Sequence, residues 1–302
     1  MPYSAGATVY DDTLLSEVFA RYARDVIAFR NQSRKTEEHH NVAKKSLISF
    51  CGDIPLNELT FNVVREWKLS LEARRLSPIT VRGYLVKLRV TLNYMRLKGL
   101  NCLDPSEIPL PVRRQTIPHI LSPLEVQAFI DAVMKRQAGY PSIRRQRNAT
   151  IISMLYSTGL RIEELVHLQI RDVEHNYFTV IGKGGRTRLC FIDTRTRMFL
   201  HNYLGMRKDN NPALFIGQKT GDRITANSIQ DMFRFARKKA GFDWPVHPHT
   251  LRHSFATNLM KNGAHIYAIS QLMGHSSLDT TKIYLHLYDA ELKRVHKQYH
   301  TT

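Results

Sequence analysis

The chain has 302 residues, with 44 Lys+Arg against 26 Asp+Glu, a formal net charge of +18 and a pI of about 10.0. Hydrophobic residues at 43% and charged residues at 23% exclude a disordered, collagen-like or disulfide-scaffold chain, and no stretch approaches the ~18 uncharged apolar residues that a membrane span needs. Cys51, Cys102 and Cys190 are widely spaced and odd in number, which fits neither a zinc motif nor a disulfide framework and points to a reducing cytosol.

Met1 to Asp12 show no basic segment followed by an apolar one, so no secretory signal is expected. Leu14, Leu15, Val18, Phe19, Tyr22, Val26 and Ile27 then recur at three- and four-residue spacing and mark one apolar helical face. A second helix is expected from Asn41 to Phe50, stopping at Cys51-Gly52, and a third from about Asn62 to Ala73. A fourth begins after Ser77-Pro78, a capping serine followed by proline in the first helical position. It turns Tyr84, Leu85, Leu88, Leu92 and Met95 inward and ends near Gly99. These elements make a helical module of about a hundred residues. Pro105, Pro109, Pro111 and Pro118 then rule out a long helix, so Asp104 to Pro118 reads as an extended linker, centred on residues 109–119.

Helices resume at Leu121, where Ser122-Pro123 repeats the cap signal. Another helix covers Asn148 to Tyr156, breaks at Ser157-Thr158-Gly159 and restarts from Ile162 to Leu168. Tyr177 to Ile181, a Gly-rich turn and Thr187 to Ile192 read as a β-hairpin. From Asn227 the chain is helical again, with breaks at Gly241, Pro245, Pro248, Gly263 and Gly274. The charge is uneven. Residues 1–112 carry 16 Lys+Arg against 12 Asp+Glu, whereas residues 113–302 carry 28 against 14. A field of that sign implies a polyanionic partner, nucleic acid before a membrane surface.

Four features of the basic half carry chemistry. In Thr158-Gly159-Leu160-Arg161-Ile162-Glu163-Glu164-Leu165, Arg161 stands where a helix restarts, with free backbone amides and a planar fork suited to two phosphate oxygens. Read alone, Arg161 is simply a partner for Glu164 on the same face. Lys183 lies in the hairpin turn Gly182-Lys183-Gly184-Gly185, where glycine lets the backbone approach a ligand, and read alone it is a solvated lysine. In His249-Thr250-Leu251-Arg252-His253, His249 and Arg252 share one face near a helix start. No HExxH pattern and no nearby carboxylate accompany His249 and His253, so no metal is expected. Gly274-His275 ends a helix, and Tyr284 follows on a further short one. Together, two arginines can neutralise a phosphodiester whose charge rises in a five-coordinate transition state. The histidines and the lysine can move protons, and a tyrosine can attack as its phenol is deprotonated. No cofactor is needed.

In this order the residues resemble the tyrosine recombinases, the phage-integrase family. The matching stretches are Thr158-Gly159-Leu160-Arg161, Gly182-Lys183-Gly184, His249-Thr250-Leu251-Arg252-His253, Leu272-Met273-Gly274-His275 and Thr280-Thr281-Lys282-Ile283-Tyr284. The tail from Tyr284-Leu285-His286 to Val295-His296 is similar to that of Xer-type members, and Ser77 to Leu85 is similar to the family's core-binding module. The second hairpin strand departs from the family's commoner Val-Pro ending.

The resemblance implies a mainly helical chain in two domains. Residues 1–108 would be a helical, SAM-like, core-binding DNA-binding domain, and residues 120–302 a mixed α/β catalytic domain with a small antiparallel sheet, the two forming a C-shaped clamp on DNA. It implies site-specific cleavage and rejoining of duplex DNA through a 3′-phosphotyrosine and a Holliday junction, without metal or ATP. Tyr284 would be the nucleophile, with Arg161, Lys183, His249, Arg252 and His275 completing the catalytic six and Glu164 orienting Arg161. Arg82, Lys87, Arg89, Arg186 and Arg188 would touch DNA. The implied partners are double-stranded DNA with inverted-repeat sites and a homo-tetramer, a dimer of dimers on two duplexes, joined through the tail from Leu287 to Thr302. There is room for an accessory protein or second recombinase and no role for a membrane. The implied location is cytoplasmic, at the nucleoid of a bacterium or archaeon or on a mobile element. A type IB topoisomerase shares the tyrosine chemistry, and a non-catalytic DNA-binding regulator would share the charge. A metal-dependent nuclease would differ in being sensitive to EDTA.

Overall fold

A computed structural model describes residues 12–30, 34–112, 119–135, 142–182, 185, 187–217 and 220–274. The chain divides into two compact units, Met1–Thr116 and Ile117–Thr302. Among the described residues no helix is long and apolar enough to cross a membrane.

In the first unit, α1 (Leu15–Tyr22) runs into a π-helical turn (Ala23–Ala28) and is followed by α2 (Arg34–Cys51), α3 (Phe61–Ala73) and α4 (Pro78–Leu97). The expected apolar face of α1 is the observed one, with Leu15, Val18, Phe19 and Tyr22 buried. Helix α2 starts seven residues before the expected Asn41. Its first turns carry no large apolar residue, and their inward position is filled by His40, buried on the same face as Ala43 and Leu47. Thr60 caps α3 by accepting from the Val63 amide, and Ser77 caps α4 by accepting from the Thr80 amide, with Pro78 at the first position. The shared core includes Leu47, Trp67, Leu71, Leu85, Leu88 and Leu92, and full burial of each such side chain contributes roughly 1.5–3 kcal/mol.

The stretch expected to be an extended linker from Asp104 is ordered at its start. Asp104 accepts from the Ser106 amide at 2.8 Å and caps a 3₁₀ turn (Pro105–Glu107), and Ile108 is buried in the first core. Proline forbids a long helix but fits the first position of a short one. Arg82 then donates to the Pro111 carbonyl at 2.7 Å. Residues 113–118 lie outside the described residues.

The second unit contains α5 (Pro123–Met134), α6 (Ser142–Thr158), α7 (Ile162–His167), strands β1 (Tyr177–Ile181) and β2 (Thr187–Phe191), α8 (Thr194–Gly205), α9 (Ala226–Ala240), α10 (Pro248–Lys261) and α11 (Ile266–Met273). Ser122 and Glu125 form a reciprocal capping box at α5. Helix α6 is the central element, buried on nearly all sides from Gln146 to Leu155 and packed against α5, α8 and α10. It begins at Ser142, six residues before the expected Asn148. Helix α8 has no counterpart in the sequence reading, because its inward set of Thr196, Leu200 and Tyr203 is sparse in a run rich in arginine and threonine. The hairpin pairs antiparallel as expected, with Tyr177 opposite Phe191, Thr179 opposite Leu189 and Ile181 opposite Thr187.

Candidate active site

The site grows from the end of α6. Thr158 turns its hydroxyl back on the Met154 carbonyl and receives the Leu160 amide at 3.3 Å. Gly159 takes a left-handed conformation with φ of 60°, which glycine adopts without a side-chain penalty. That turn leaves the Gly159 carbonyl pointing into the interior, where it meets two guanidinium groups.

Arg161 caps α7. Glu164, three residues on, accepts from the Arg161 amide at 2.8 Å and from Arg161 Nη1 at 2.9 Å. The amide expected to be free for an anion is thus already held by a carboxylate. The Arg161 side chain remains 29% exposed, while Glu164 is 7% exposed. Glu164 fixes one edge of the fork and leaves the Arg161 side chain partly open to solvent.

Arg252 comes from α10. That helix starts at Pro248, and the Thr250 hydroxyl accepts the His247 amide at 3.1 Å. Arg252 is buried at 5% exposure, donating from Nη1 to the Gly159 carbonyl and from Nη2 to the Met273 carbonyl. Both of these acceptors are neutral main-chain oxygens, and a guanidinium stays protonated in a protein. His249 is exposed near the start of the same helix. His253, one turn further, is half-buried. Its pKa is held below the ordinary histidine value by burial first, then by the charges of His249 and Arg252.

Arg188 on β2 corrects the sequence reading. It was expected to face DNA, yet it is buried at 6% exposure. Its Nη2 donates to Glu164 Oε2 at 2.7 Å and to the Gly159 carbonyl at 3.3 Å, and its Nη1 approaches Cys190 Sγ at 3.4 Å. Strand alternation puts Arg188 on the same inward face as Cys190, with Leu189 and Phe191 outside. Burial pushes the Cys190 thiol up to about 11, so it stays protonated and unreactive beside the arginine.

The structure therefore joins Arg188 and Arg252 at the Gly159 carbonyl and ties Arg161 to Arg188 through Glu164. Arg82, Lys87 and Arg89 lie half-buried on α4 in the first unit. Lys183, Arg186, His275, Tyr284 and the tail from Leu287 to Thr302 lie outside the described residues. Sequence reasoning missed the inward role of Arg188. It also missed Ser254, whose buried hydroxyl receives the Leu121 amide at 2.8 Å and ties the entry of the second unit to α10. Period-two spacing groups Arg188 with Cys190 and Ile192 but does not by itself say that this face is the inward one.

Comparison with known proteins matches two family models. Residues 120–291 match the phage integrase family, and residues 18–105 match the phage integrase SAM-like domain. The chain is 30% identical over 274 residues to a tyrosine recombinase of Thermosipho africanus, covering 89% of this chain and 88% of that one. It is 31% identical over 234 residues to the tyrosine recombinase XerD of Listeria innocua, covering 74% and 77%. Its fold is similar to that of the Tn1549 transposon integrase in complex with a circular intermediate DNA, with a TM-score of 0.76 at 20% identity, covering 93% and 99%.

Proposed function

The chain belongs to the phage integrase family and is a tyrosine recombinase, a site-specific enzyme that breaks and rejoins DNA, and on that premise we propose how its own residues divide the work. The observation that carries the reading is one linked cluster, in which Arg188 and Arg252 share the Gly159 carbonyl and Glu164 joins Arg188 to Arg161.

Arg161 and Arg252 hold the non-bridging oxygens of the scissile phosphate and stabilise the charge that grows as phosphorus becomes five-coordinate. The Tyr284 oxygen attacks, forming a phosphotyrosyl bond to the 3′ end while the bond to the 5′ oxygen breaks. Lys183 delivers a proton to that leaving oxygen. His249 moves the tyrosine proton, and His275 donates a hydrogen bond to the phosphate. The phosphotyrosyl bond conserves the energy of the phosphodiester, so a 5′-hydroxyl from a partner duplex can reverse the step without ATP. Charge stabilisation comes from arginine in place of a metal.

Residues 1–108 form the core-binding DNA domain and residues 120–302 the catalytic domain. Arg82, Lys87, Arg89 and Arg186 contact the backbone of a duplex with inverted arms. Four copies act on two duplexes as a dimer of dimers, joined through the tail from Leu287 to Thr302.

The test uses a pool of nicked duplexes with randomised inverted arms, in which cleavage releases a short fragment and traps the enzyme on DNA. A denaturation-resistant adduct formed in EDTA, and lost in Tyr284→Phe while binding persists, is the expected result. Relaxation of supercoiled DNA without a preferred site would favour the topoisomerase reading. An adduct that survives Tyr284→Phe would overturn the assignment of the nucleophile.

A further inference from the structure

Only 3% of the Arg188 side chain reaches solvent, against 29% of Arg161. A guanidinium stays charged in a protein, so its burial has to be offset by a counter-charge and by hydrogen bonds. Glu164 Oε2 at 2.7 Å supplies the counter-charge. The hydrogen bonding is incomplete among the described residues, where the buried Arg188 Nε has no partner. The side chain also presses on the turn at Gly274, where a β-carbon would sit 2.7 Å from Arg188 Cδ and 3.2 Å from Nε. An apolar residue beside Phe178, Val180 and Cys190 would incur neither the desolvation nor the stranded N–H. Packing alone therefore does not account for the charge.

Glu164 divides its carboxylate. Oε1 faces Arg161 Nη1 at 2.9 Å, and Oε2 faces Arg188 Nη2 at 2.7 Å. Arg161, Arg188 and Arg252 against Glu164 leave the cluster positive by two formal charges. Without Arg188 the whole negative charge of Glu164 would fall on Arg161, and half of that excess would vanish. A phosphoryl group gaining negative charge would then meet an arginine already neutralised by its own neighbour.

We propose that Arg188 is a positioning residue that neutralises Glu164, so that Arg161 keeps its charge as well as its geometry for the scissile phosphate. This rests on the reading of Arg161 as a phosphate clamp. It also gives Glu164 two tasks, aiming the Arg161 side chain with Oε1 while Oε2, which also accepts the Arg161 amide, is neutralised by Arg188.

The test is single-turnover adduct formation on nicked duplexes bearing either the natural phosphate or an uncharged methylphosphonate at the scissile position. Arg188→Met should slow cleavage of the phosphate by about 100-fold, the scale of removing one preorganised charge-stabilising group. The same variant should stay within about 3-fold of the unsubstituted chain on methylphosphonate, whose five-coordinate species carries one negative charge fewer and so asks less of the arginines. Adding Glu164→Gln, which restores the formal balance while keeping an acceptor for Arg161, should bring the phosphate rate back to within about 10-fold. Equal losses on both substrates, or no recovery in the double variant, would assign Arg188 a purely structural role and overturn the proposal. So would an Arg188→Met chain that cleaves phosphate at full rate.

Should Arg188→Met fail to fold, the double variant removes both members of the buried Glu164–Arg188 pair and is compared directly. A phosphate-to-methylphosphonate rate ratio close to that of the unsubstituted chain supports the proposal, and a ratio about 100-fold lower refutes it. If the unsubstituted chain forms no adduct on either substrate, the recombinase chemistry itself has failed, a result distinct from the failure of Arg188.

Discussion

Gly159 and Phe255 compete for one volume: a β-carbon on Gly159 would lie 2.5 Å from Phe255 Cδ1 and 2.8 Å from Cε1. The position is also left-handed, with φ of 60°. Gly159→Ala should therefore cost about 3 kcal/mol, adding the strain of a left-handed alanine to overpacking. A fall in the urea midpoint at unchanged m-value is the expected readout. Phe255→Ala in the same background should recover part of the loss, and a Gly159→Ala chain as stable as the original would refute the contact.

Ser254 is fully buried, receives the Leu121 amide and donates to the Thr250 carbonyl. Ser254→Ala strands the Leu121 N–H in the interior, at a cost of about 1–3 kcal/mol. Hydrogen exchange should show the Leu121 amide losing protection beyond what the global change explains.

Arg252→Lys tests the fork. Lysine keeps the charge but cannot present two coplanar N–H groups to the Gly159 and Met273 carbonyls. Adduct formation should fall by about 100-fold, with DNA affinity within a few-fold of the original. A competition binding assay beside the cleavage assay separates the two.

His40 predicts a pH response in the first unit. It is buried, stacked on Tyr22 with ring centroids 5.0 Å apart, and its pKa is lowered from 6.5 to about 4 by burial first, then by the charges of Lys87 and His39. The unfolded chain then takes up a proton at a higher pH than the folded one. Stability should be flat above about pH 6.5 and decline as pH falls towards 4, by about 2–3 kcal/mol. His40→Phe should flatten that limb, and an unchanged pH profile in this variant would remove His40 as its source.

DNA binding should weaken steeply between about 50 and 200 mM salt, and Lys87→Ala with Arg89→Ala should reduce the slope of log K against log salt by about 2. Filter binding at several salt concentrations measures it. A slope unaltered by the pair would take α4 out of the interface.

Cap chemistry was readable because it is local. Ser77-Pro78 and Ser122-Pro123 each place a hydroxyl and a fixed φ beside the amides they serve, and both helices start there. The order of Arg161, His249 and Arg252, proposed as catalytic, was likewise visible as spacing. The inward side of the hairpin was not. Leu189 and Phe191 on one face are as apolar as Cys190 and Ile192 on the other, so period two names two faces without saying which is the core. Arginine then tipped the reading towards solvent. The partner that makes its burial tolerable, Glu164, stands 24 positions earlier in the chain, and no local pattern joins them. The same holds for Ser254 and Leu121, and for the first turns of α2, whose inward residue is a neutral histidine.

One main-chain oxygen, at residue 159, anchors side chains sent from a strand and from a helix. The two arms share that acceptor, and the helix-borne arm has a second hold on the Met273 carbonyl. Because the arms meet at one atom, substitutions on the two are expected to be non-additive.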